Sequence, residues 1–83
     1  MSKYDLEDRL VQFAVSVMRL AEMLPKTKIG IHLSDQMIRS SSSATLNYGE
    51  AQSAESRKDF IHKMKVVLKE LRETNANLKR LMV

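Results

Sequence analysis

From Ile61 onward the apolar residues recur at alternating steps of three and four: Ile61, Met64, Leu68, Leu71, Asn75, Leu78 and Met82. Only an α-helix brings side chains so spaced onto one side, so this third of the chain must bury a helical stripe against something else. Phe60, Val67 and Leu81 widen the stripe beyond a two-stranded seam, which predicts contact with more than one neighbour. Asn75 interrupts it, and a polar residue in such a place sets register or partner number at some cost in stability. Ser56 and Asp59, three residues apart at the start, have the form of a capping box. The spacing predicts a helix over 56–82.

The same period runs through the rest of the chain. Leu6, Leu10, Phe13, Val17, Leu20 or Ala21, and Leu24 define a helix over 5–24. Asp5 is placed to cap it, and Pro25, without an N–H, stops it. Thr27 is the natural cap of the next helix, over 28–50, with Ile29, Leu33, Met37, Ser40, Ala44, Asn47 or Tyr48, and Ala51 on one side. Its middle contains Ser40, Ser41, Ser42 and Ser43, mediocre helix formers whose composition suggests a linker. The period continues on both sides without Pro or Gly, so a helix is expected, the small side chains allowing close approach and the hydroxyls bonding the preceding turn. Gly49 lies where glycine often ends a helix, and the amide of Asn47 is placed to bond backbone groups exposed there. Glu50 is expected to anchor the following turn by pairing with Arg57 or Lys58, or by crossing to Arg39.

Three helices joined by short turns run up, down and up. The expected class is therefore all-α, an antiparallel up-and-down bundle forming one domain over 1–83. At 83 residues a single core is small, and four aromatics make it mainly aliphatic. Three helices with so wide a stripe look underfilled, which points to a fourth helix or a partner subunit.

Composition excludes several kinds of chemistry. With no cysteine there are no disulfides, thiolate metal sites or cysteine nucleophiles. The two histidines, His32 and His62, have no second ligand at metal-site spacing, and the two glycines build no phosphate-cradling loop. No serine has the surroundings of a nucleophile. A non-enzymatic protein with no cofactor is expected. Neither a membrane span nor a signal peptide is read in the chain, so cytoplasmic is the default.

The charge is uneven. Residues 53–83 hold eight basic and four acidic side chains and so carry all of the net +4. Lys58, Lys65, Lys69 and Arg72 fall near one another on a helical wheel, as a phosphate-contacting stripe would. Against that reading, Glu70 and Glu73 interrupt the surface, Lys69 and Glu73 form an i,i+4 pair, and no aromatic stands among the bases to stack on nucleotides. A merely solvated face is the competing reading.

An ordered set of motifs runs the length of the chain: Leu24-Pro25-Lys26-Thr27, His32-Leu33-Ser34-Asp35-Gln36, Arg39-Ser40-Ser41-Ser42-Ser43, Asn47, Glu50, and Ala54-Glu55-Ser56-Arg57-Lys58-Asp59-Phe60-Ile61-His62-Lys63. In these the chain resembles the 23S ribosomal RNA intervening-sequence proteins, a family of four-helix bundles. The resemblance implies a four-helix protomer assembled as a homopentamer. It also implies bacterial origin, members being encoded in insertions within ribosomal RNA genes or standing alone. A related branch accompanies diversity-generating retroelements and is thought to bind nucleic acid and a reverse transcriptase. It carries over no catalytic residues. Two features depart from the family pattern: Gly49 precedes Glu50 where a glycine usually follows the glutamate, and the sequence reaches Val83 where a typical member turns into its fourth helix. The expectation is an open apolar groove filled by a neighbouring subunit. RNA or DNA contacted through the basic stripe is the expected ligand, with a protein partner docked in the groove as the alternative.

Overall fold

The computed structural model of the chain describes residues 5–82. Three helices occupy almost all of them: α1 (Asp5–Met23), α2 (Lys28–Gln52) and α3 (Arg57–Leu81). Each boundary falls within two residues of the position that periodicity and punctuation predict. Pro25 stands two residues beyond the end of α1. Thr27 caps α2, its hydroxyl accepting from the Gly30 amide at 3.1 Å. Ser56 caps α3 in the same way, accepting from the Asp59 amide at 3.0 Å. The capping role predicted for Asp5 lies outside the described side chains. Gly49 does not end α2: the helix runs on to Gln52, and no glycine adopts positive φ among the described residues.

α2 is the centre of the molecule. It packs against α1 on one side and α3 on the other, while among the described residues no Cα of α1 comes within 8 Å of one in α3. Both pairings are antiparallel. Along α2, Ser34 and Thr45 reach Ala21 and Leu10 of α1, and Ser40 and Glu50 reach Thr74 and Lys63 of α3, so partner numbers fall as α2 advances. The result is a layer of 44 × 24 × 17 Å.

The serine run is helical and lies at the middle of α2, within that layer. Ser40 and Ser41 are buried and Ser42 and Ser43 half-buried. Their small volumes let the helices approach, and each buried hydroxyl finds an oxygen. Ser41 donates to the Met37 carbonyl at 2.7 Å. Thr74 donates to the Glu70 carbonyl at 3.0 Å, which leaves its oxygen to accept from Ser40 at 2.5 Å. Ser34 and Thr45 similarly lie within bonding distance of carbonyls in both α2 and α1. Hydroxyls thus bridge α2 to both neighbours where larger apolar side chains would hold them apart.

Leu10, Ala44, Tyr48 and Val67 form the apolar centre, with Met64 and Leu71 packed against it. α3, however, is rotated from the orientation its stripe suggests. Its buried side chains are Val67, Glu70, Thr74 and Asn77. Ile61, Leu68 and Asn75 are exposed, and so are Leu6, Ile29 and Met82 on the predicted stripes. The reason lies in α2, which turns Arg39 and Ser40 toward α3. A polar edge of α3 answers them, and the apolar stripe is left to line a cleft between α1 and α3, made by Leu6, Leu10, Tyr48, Met64, Val67, Leu68 and Leu71. This is the open groove expected of an underfilled bundle.

Candidate nucleic-acid interface

Rotating α3 in this way sorts its charges. A helix turns about 100° per residue, so Lys58, His62, Lys65, Lys69 and Arg72 share the side opposite Val67. All five are exposed. The first turns gather Arg57, Lys58, Ile61, His62 and Lys65 around a surface hollow of about 560 Å³. Lys69 and Arg72 continue the same side along the helix.

The acids of α3 are drawn off this surface. Arg39, on α2, donates from Nη1 to Glu70 at 2.9 Å and pairs through Nη2 with Glu73. Glu70 is buried, and the side chain of Glu73 is about one-third exposed. Asp59 pairs with Lys63 at 3.9 Å, and Lys63 also reaches Glu50 at 3.8 Å. The two objections drawn from the acids therefore fall away: Glu70 and Glu73 do not interrupt the stripe, and Glu73 goes to Arg39 instead of Lys69. Among the described residues no carboxylate lies in ion-pairing distance of Lys58, Lys65, Lys69 or Arg72. These four predicted residues do come together on one face.

The predicted assembly residues divide. Ser40 and Ser41 are buried in the helix packing as expected while Ser42 and Ser43 are half-buried, and Ser56 and Asp59 make the expected N-cap bond. Asn47 donates from Nδ2 to the Ser43 carbonyl at 2.8 Å, one turn back inside the helix and not at its end. Glu50 meets Lys63 instead of Arg57, Lys58 or Arg39. Asn75 is exposed, and the buried polar residues are its neighbours Thr74 and Asn77, the latter accepting from Arg80 Nη1 at 3.3 Å. Arg39 was foreseen only as a partner for Glu50. Its role in clearing acid from the α3 surface joins positions 31 residues apart, and no local pattern signals it. Among the described residues there is no cluster of His, Asp or Glu able to hold a metal ion, and no helix long and apolar enough to cross a membrane.

Fold and surface together define a helical-bundle protein with one basic outer face. The chain belongs to the 23S rRNA-intervening sequence protein family, whose model matches residues 3–82. Its structure is similar to a 1.70 Å crystal structure from Bacteroides thetaiotaomicron VPI-5482, of a protein with unknown function from the S23 ribosomal protein family. The two are 37% identical with a TM-score of 0.83, over 92% of this chain and 70% of that one. No curated protein matches the chain.

Proposed function

We propose that this chain is a non-enzymatic, oligomeric helical-bundle protein that binds the backbone of RNA or DNA through the basic face of α3. The observation that carries the reading is the separation of charge on that helix, in which Arg39 and Lys63 take up the acids and leave Lys58, Lys65, Lys69 and Arg72 facing solvent together. Cations so placed attract polyanions, and binding then depends on counterion release. The buried polar groups Ser40, Ser41, Glu70 and Thr74 are engaged in contacts within and between helices, which supports a structural and not a catalytic use of them.

Assembly strengthens such binding. The groove between α1 and α3 and the exposed Val11, Val15, Met18 and Leu46 on the other side of α1 leave apolar surface for neighbouring subunits. A homopentamer, which the family resemblance implies, would collect a charge of about +20 from five chains of +4, making attraction collective. Sedimentation at micromolar concentration tests this, and a monomer there counts against it.

For the binding itself, retention of a labelled structured RNA is measured as salt is raised. The expected result is tight binding at low salt that weakens steeply. Binding that is absent at low salt, or indifferent to salt, rejects the proposal. A second reading, a scaffold that docks a partner helix with no nucleic-acid role, is favoured by the apolar lining of the groove. Changing Lys65, Lys69 and Arg72 to Glu separates the two: it abolishes nucleic-acid binding under the first and leaves partner capture intact under the second.

A further inference from the structure

α3 carries a cation every seven residues at Lys58, Lys65, Arg72 and Lys79. Seven residues fall about 20° short of two helical turns, so the four form one slowly winding row. At about 1.5 Å per residue the row is about 31 Å long, with cations about 10 Å apart. All four are exposed, and none has a carboxylate in pairing distance among the described residues. Lys69 and His62 flank the row on one side, and the exposed Ile61, Leu68 and Asn75 flank it on the other.

From this row we infer that the ligand is a double helix, held by its sugar-phosphate backbone without regard to sequence and in preference to a single strand. The inference rests on the nucleic-acid reading above and names its substrate class. The row runs along one rigid helix, so the ligand must bring phosphates to fixed positions. A duplex, stiff over about 150 base pairs, presents them already ordered, whereas a single strand must lose conformational freedom to do so. The length agrees: about 31 Å is close to the roughly 34 Å of one duplex turn, over which a helix laid along the axis meets both backbones.

The row offers little of what a single-strand binder uses. Those proteins stack bases on aromatic side chains. Phe60, the one Phe, Tyr or Trp of α3, is about 140–160° around the helix from Lys58 and Lys65, which leaves the single imidazole of His62 as the ring beside the row. Apart from Asn75 at its edge, no Asn, Gln or acid stands by the row to read base edges, and lysine and arginine contacts to phosphate carry no sequence information. RNA and DNA duplexes share this chemistry and are separate arms of the test.

The test is fluorescence anisotropy with the full chain and four kinds of probe: an RNA duplex of about 21 base pairs, two turns long, the matching DNA duplex, and the component single strands of each. Two unrelated sequences are used for each probe. One of the duplexes is expected to bind at least about tenfold tighter than its strands, with sequences agreeing within about threefold. Four phosphate contacts give a slope of log K against log salt near −3.6 per engaged protomer. The double variant Lys65→Gln/Arg72→Gln is expected to reduce that slope by about 1.8. The same loss of charge at Lys26→Gln/Lys28→Gln, in the α1–α2 turn region, is expected to leave it unchanged. Circular dichroism confirms folding, and Lys58→Gln/Lys79→Gln at the row's ends repeats the measurement should the first pair unfold. Single strands that bind as tightly as duplexes overturn this inference while nucleic-acid binding stands. An unchanged slope in both row variants overturns the row as the contact. No binding of any probe at low salt overturns both readings.

Discussion

Arg39 is the residue whose loss tests most of this structure at once. Its guanidinium holds Glu70 at 2.9 Å and Glu73 beside it, with the Arg39 side chain 49% exposed and that of Glu70 only 7%. Arg39→Gln leaves an ionised carboxylate buried against α2 with no cation to meet it. Orphaning one member of a fully buried pair costs about 3–5 kcal/mol. Half of Arg39 already lies in water, where ion pairs contribute less, so about 2 kcal/mol is the expected loss. In a domain of this size that lowers the melting temperature by about 10 °C. Urea unfolding at fixed protein concentration measures it as a lower midpoint with an unchanged slope. In a Glu70→Gln/Glu73→Gln background the same substitution should cost less than about 0.5 kcal/mol, because no charge remains to be orphaned. An equal cost in both backgrounds refutes the clasp. The variant also frees Glu73 beside Lys69, so duplex affinity should fall although Arg39 lies on another helix.

Three further outcomes follow from local geometry. A Cβ at Gly30 would run into the Pro25 carbonyl, so Gly30→Ala is expected to cost at least about 2 kcal/mol, whereas Gly49 has open space and Gly49→Ala should stabilise α2 by about 0.5–1 kcal/mol. Thermal melts of the two variants should therefore move in opposite directions. Met37→Ala empties a fully buried site and should cost about 2–5 kcal/mol in denaturant unfolding. Ser56→Ala removes the acceptor of the Asp59 amide and should cost about 1 kcal/mol, with fraying of the α3 N-terminus visible in amide exchange.

Much of this could be read along the chain. Pro25, Thr27 and Ser56 act over one turn of backbone, so their effects are local and the three helix spans follow from them. The serine run could be placed in a helix because the period continues through it. The basic face was likewise legible, since residues on one side of a helix are set by spacing alone. The seven-residue recurrence of Lys58, Lys65, Arg72 and Lys79 is equally a sequence feature. Less legible was which edge of α3 turns inward. Periodicity groups side chains by direction from the helix axis but does not say where the neighbouring helix stands, and a stripe as wide as that of α3 admits more than one orientation.

That choice belonged to the tertiary structure. Glu70 is expected on the surface, yet it is buried together with Thr74, because Arg39 and Ser40 approach the two from 31 and 34 residues away. The cost of burying a polar group depends on its partner, and partners so distant in sequence are brought together only by packing α2 against α3. The chain by itself determined three amphipathic helices and a cation-rich last one. The contact between α2 and α3 decided that Glu70 and Glu73 would be drawn aside and Lys58, Lys65, Lys69 and Arg72 left facing outward.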